Sequence, residues 1–113
     1  MLGAAVLMAA ATMAEAGPSV EKQVRQYFAS YPVLINIAKC ESRMRQYDEK
    51  GRVLKNPSSS ASGVMQIMLS YHRKPAARLG LDLHTLDGNL RYALHLYKQE
   101  GTRPWNASRH CWG

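Results

Sequence analysis

The chain has 113 residues, room for one small domain and not two, and carries a formal charge of +7 at pH 7 from 15 Lys and Arg against 8 Asp and Glu. The length excludes a second domain, and the basic balance points to an anionic partner or surface, or else to a merely solvated basic exterior. Two cysteines and scattered histidines offer no zinc-site spacing, so neither a metal nor a cofactor is expected.

Residues 1–16 differ in kind from the rest. Met1 to Ala14 include no charged side chain, and Leu2 to Met13 are almost wholly apolar or small. Ala14-Glu15-Ala16 fits the small-x-small pattern of a signal-peptidase site, with Gly17-Pro18 just beyond. The run is too short to span a bilayer and reads as the apolar core of an export signal, although no Lys or Arg precedes it. An uncleaved anchor and a buried Ala-rich helix are the alternatives. Cleavage after Ala16 leaves residues 17–113 at a formal charge of +8, in a secreted, periplasmic or cell-envelope location. For an exported chain an anionic envelope is a more natural partner than nucleic acid, and no membrane span remains. A monomer is expected.

Ser19 is a reasonable N-cap for a first helix, with Val20, Val24, Tyr27, Phe28 and Tyr31 at helical spacing. Pro32 fits the first turn of a second helix. Val33, Leu34, Ile35, Ile37, Ala38 and Cys40 make that helix apolar on nearly all sides, so it should be central. Glu41 closes it, at the end where the helix dipole disfavours a carboxylate. From Arg45 to Ser62 the chain is polar, with a hairpin-like excursion about Lys50-Gly51 and a loop at Asn56-Pro57-Ser58-Ser59-Ser60. Gly63 to Leu69 reads as a short helix, and Pro75 opens another that Gly80 ends. Thr85 or Asp87 caps a last long helix, with Leu86, Leu90, Ala93, Leu94 and Tyr97 on its buried stripe and Gly101 at its end. So small a domain is marginal without a staple. Export permits a disulfide between Cys40 and Cys111, the alternative being two buried thiols.

The chemistry gathers in two places. Cys40-Glu41-Ser42 supplies one carboxyl group at a helix end, and Gly63-Val64-Met65-Gln66-Ile67 supplies an amide among apolar side chains. An acid that protonates a sugar oxygen beside an amide that orients an N-acetyl group needs such a pair. Glycosidases usually use two carboxyl groups. Here no acid stands between Glu49 and Asp82, and Asp48 and Glu49 lie in the polar excursion, so a single-acid mechanism is favoured.

These two segments, with Asn89-Leu90-Arg91-Tyr92-Ala93, resemble the soluble lytic transglycosylase domain of the lysozyme-like superfamily, over about Val33 to Trp112. The tail from Trp105 to Trp112 also looks like the end of small exported members. The resemblance implies a mainly α, lysozyme-like helical domain with a short irregular or β-hairpin lobe and one disulfide. It implies cleavage of the MurNAc-GlcNAc β-1,4 bond of peptidoglycan strands, leaving 1,6-anhydro-muramyl ends. Glu41 matches the catalytic acid, and Ser42 the residue that supports it. Gly63 matches the position of close sugar approach, and Met65 and Gln66 match groove-lining positions. Ser58, Ser59, Ser60 and Ser62 compete for the serine beside the acid, with Ser58 slightly favoured. The Ala-Tyr-Asn segment that usually supplies a tyrosine is absent; Tyr92, Tyr97 or Trp105 stands in its place. A muramidase using the same Glu41, or a non-catalytic wall-binding module, is the alternative.

Overall fold

A computed structural model describes residues 17–113; the expected signal over 1–16 lies outside the described residues. Helix α1 (Val20–Tyr27) starts where the Ser19 hydroxyl accepts the Lys22 N–H at 3.1 Å, and it turns Val24 inward. Phe28, just past its end, is also fully buried. Tyr31 leaves helical geometry because a residue before proline is driven from the α region, and Pro32 opens α2 (Pro32–Ser42). Leu34, Ile37 and Ala38 of α2 are fully buried, so this helix is the axis of the core. It stops at two successive left-handed residues, Arg43 and Met44 (φ 55° and 63°). There the Arg43 N–H bonds back to the Lys39 carbonyl.

The hairpin-like excursion expected about Lys50-Gly51 forms, and the polar lobe departs from expectation only beyond it. The excursion at 47–53 is a turn closed by the single bridge Tyr47–Val53, with Asp48 accepting the N–H groups of Lys50 and Arg52. The regular hairpin comes later. Strands β1 (Ala61–Ser62) and β2 (Ile67–Met68) pair antiparallel, Ala61 opposite Met68 and Ser62 opposite Ile67. The short helix expected from Gly63 to Leu69 therefore does not form. Gly63 and Gln66 both take positive φ (78° and 51°), which breaks a right-handed helix at each end of the connection.

Helix α3 (Leu69–Arg78) begins directly after β2, and Pro75 lies inside it rather than opening it. The start is fixed by Ser60, whose carbonyl accepts the Leu69 N–H and whose hydroxyl accepts the Ser70 N–H. Pro75 removes one hydrogen bond to the carbonyl of Tyr71, a residue exposed to solvent. Helix α4 (Leu86–Glu100) is capped by Thr85, whose hydroxyl accepts the Gly88 N–H at 3.0 Å, and it ends at Gly101. A 3₁₀ helix (Arg103–Ser108) and the one-turn α5 (Arg109–Trp112) then return across α2. Cys40 and Cys111 form a disulfide there, with Cα atoms 6.0 Å apart. The described chain is thus mainly helical, with one small antiparallel sheet and one disulfide. Among the described residues no helix is long and apolar enough to cross a membrane.

Candidate active site

Glu41 lies one residue before the end of α2, half-buried. Its carboxylate oxygen Oε2 accepts a 2.5 Å hydrogen bond from the Ser108 hydroxyl. Burial pushes its pKa above the ordinary carboxyl range, and the Ser108 hydrogen bond pulls the other way. Among the described residues no cation pairs with it. Among the described residues, Glu21, Asp48, Asp87 and Glu100 bond to Arg25, Arg52, Arg91 and Arg103, and Asp82 bonds to His84. Glu49 stands exposed on the excursion. Glu41 is therefore the one described carboxyl group that is shielded from water without a charged partner, the condition under which the neutral form of a carboxylic acid is favoured over its ordinary balance.

Ser108 joins Glu41 to the second half of the site. Its hydroxyl also lies 3.2 Å from the Trp105 carbonyl and receives the Trp112 indole N–H at 3.0 Å. The Trp105 indole in turn donates to the Met65 carbonyl at 2.9 Å. A continuous hydrogen-bonded path thus runs from the acid through the C-terminal segment to the 63–67 connection. That connection is held from behind by two fully buried amides. Gln46 Oε1 accepts the Val64 N–H at 2.8 Å, and its amide nitrogen donates to the His84 carbonyl. Asn89 Oδ1 accepts the Met65 N–H at 2.9 Å, while its Nδ2 donates to the Ser62 and Leu83 carbonyls. Every buried backbone group so reached is satisfied, which makes the turn rigid. Gly63 is obligatory: a Cβ there would meet Asn89 Nδ2 at 2.4 Å, and its φ is 78°.

The residues singled out from sequence take different positions. Ser42 is buried, donating to the Ala38 carbonyl and accepting the Arg45 N–H, so it braces the helix end behind Glu41. Met65 and Trp105 are interior, at 0% and 3% exposure. Tyr92 is buried as well, and its hydroxyl meets His72 Nδ1 at 2.9 Å. Gln66 is half-buried, with its amide nitrogen donating to the Gly63 carbonyl at 2.9 Å. Ser58 is exposed on the loop, its N–H bonded to Asn56. The hydroxyl that reaches the acid is that of Ser108, which none of the upstream serines or aromatic candidates anticipated. The signal for it was present: Cys40 precedes Glu41, and Ser108 stands three residues before Cys111, one helical turn away. Once the cysteines are joined, Ser108 falls beside Glu41.

Two hollows flank these elements. One, of about 410 Å³, is lined by Asn36, Lys39, Cys40, Cys111 and Trp112, of which Cys40 precedes Glu41 in the chain and Trp112 bonds to Ser108. The other, of about 500 Å³, is formed by Ser60, Ser70 and α3, with Tyr71, Arg73, Lys74 and Arg78 on its wall. Those three cations form no ion pair among the described residues. Compared with protein-family models, with curated proteins and with solved structures, the chain matches none.

Proposed function

We propose that the protein is an exported peptidoglycan-cleaving enzyme of the lytic transglycosylase type, with a lysozyme-like fold and Glu41 as its single acid and base. The observation that carries this reading is the state of Glu41: half-buried, raised in pKa, paired with no cation among the described residues and held by one hydroxyl. A structural carboxylate would be paired or solvated, as the others are.

The reaction follows from one carboxyl group. Protonated Glu41 gives its proton to the glycosidic oxygen as the bond from that oxygen to the muramyl anomeric carbon breaks. The substrate's own N-acetyl oxygen closes on that carbon and takes up the positive charge. Glu41, now ionised, removes the proton of the muramyl 6-hydroxyl, whose oxygen forms the new bond to the anomeric carbon as the acetyl oxygen leaves. The acid is regenerated, no water is consumed, and a 1,6-anhydro end results. The buried amides of Gln46 and Asn89 fix the 63–67 backbone on which the sugar would rest. The unpaired Arg73, Lys74 and Arg78 suit an anionic wall.

Digestion of purified peptidoglycan tests the reading. Wild-type protein is expected to release muropeptides one water lighter than hydrolysis products, and Glu41→Gln none. Products of full hydrolytic mass would make the same site a muramidase, and new ends from the Gln variant would remove Glu41 from the chemistry.

A further inference from the structure

The Ser108 hydroxyl has one hydrogen and two lone pairs, and three groups surround it. The Trp112 indole can only donate; its N–H lies 3.0 Å from the Ser108 hydroxyl and 3.3 Å from the Trp105 carbonyl, and the shorter bond fills one lone pair of Ser108. The Trp105 carbonyl can only accept. Glu41 can do either, according to its protonation.

Two complete arrangements result. With Glu41 ionised, Ser108 donates its hydrogen to Oε2 while accepting from Trp112. With Glu41 protonated, the carboxyl O–H donates into the second lone pair of Ser108, and the Ser108 hydrogen swings to the Trp105 carbonyl 3.2 Å away. Each arrangement uses the hydrogen once and leaves no donor without an acceptor. The geometry points to Ser108 as a two-way positioning residue that holds Glu41 in one place through both halves of an acid–base cycle, with the Trp105 carbonyl as its acceptor and the Trp112 indole as its donor.

This assignment rests on the reading of Glu41 as the acid and base, and extends it to a residue to which the resemblance gave no role. The disulfide sets the geometry, since Cys40 adjoins Glu41 and Cys111 lies one turn from Ser108. The basic side chains on the surrounding elements are Lys39 of α2, Arg43 and Arg45 after it, Arg103 of the 3₁₀ helix, and Arg109 and His110 of α5. None lies within ion-pair distance of Glu41. The hydroxyl is thus the group that responds when Glu41 changes charge. A charge-assisted hydrogen bond is stronger than a neutral one, so Ser108 favours the ionised form on balance.

The test is a carbon-NMR titration of the Glu41 carboxyl group in the intact, oxidised protein, which needs no substrate. In Ser108→Ala the Glu41 pKa is expected to move upward from wild type, and Ser108→Thr, which keeps the hydroxyl, to restore it. With peptidoglycan, Ser108→Ala is expected to lower kcat about 10- to 100-fold with KM little changed, and to move the alkaline limb of the rate profile to higher pH. An Ala variant that titrates with wild type, or that loses only thermal stability, would reduce Ser108 to a packing residue. Activity retained in Glu41→Gln would instead overturn the proposed chemistry, and the NMR titration would still decide the Glu41–Ser108 coupling.

Discussion

Glu41 is held against its own charge, and this has a consequence for stability as well as for activity. Its folded pKa lies above the ordinary carboxyl value because burial penalises the ionised form. Between the ordinary value and the raised one, the folded protein binds more protons than the unfolded chain. Stability from this group is therefore present below the ordinary carboxyl range and is lost as pH rises through the folded pKa. Glu41→Gln removes that dependence. Thermal melts at neutral pH should find the variant as stable as wild type or more so, with the difference closing below the ordinary carboxyl range; a variant clearly less stable at neutral pH would contradict this. Gly63 is constrained in the opposite sense, by space. Gly63→Ala drives a methyl group toward the buried Asn89 amide at a positive φ, so a loss of about 2 kcal/mol or more is expected in denaturant unfolding. A loss under about 0.5 kcal/mol would show that the turn relaxes around it.

At the scale of elements, α2 and the C-terminal segment act as one unit because the disulfide and the Glu41–Ser108 hydrogen bond join them at neighbouring positions. The closed loop spans 71 residues, for which the chain-entropy relation gives roughly 4 kcal/mol. Replacing both cysteines by serine should lower unfolding stability by about 2–4 kcal/mol and weaken the link between Ser108 and Glu41. A double variant with unchanged stability and an unchanged Glu41 titration would show that packing alone holds the unit. The elements also show where sequence reading succeeds. Helices α1, α2 and α4 were legible because Ser19, Pro32 and Thr85 mark their starts and their apolar residues repeat at helical spacing. The 63–68 segment was misread as helix because apolar Val64, Met65 and Ile67 suit either state. What decides it is long-range: Gln46 and Asn89 capture the Val64 and Met65 N–H groups from 18 and 24 positions away. Helix α3 begins before Pro75 for a similar reason, since Ser60 anchors its first turn across the hairpin. Ser108 was hidden in the same way, its meaning appearing only after the cysteines are paired.

Across the whole molecule, charge and chemistry are separated. Among the described residues, the acids paired with arginines lie toward the exterior, the unpaired cations Arg73, Lys74 and Arg78 gather on α3, and the one unpaired shielded acid sits at the end of the central helix. Glu41, at the end of the central helix, is linked through Ser108 and Trp105 to the Met65 carbonyl of the largely buried 63–67 connection. The most direct measurement is mass analysis of muropeptides released from purified peptidoglycan by wild-type protein and by Glu41→Gln under the same conditions. The proposed activity predicts products one water lighter than hydrolysis from the wild type and none from the variant. Equal release by both would contradict it.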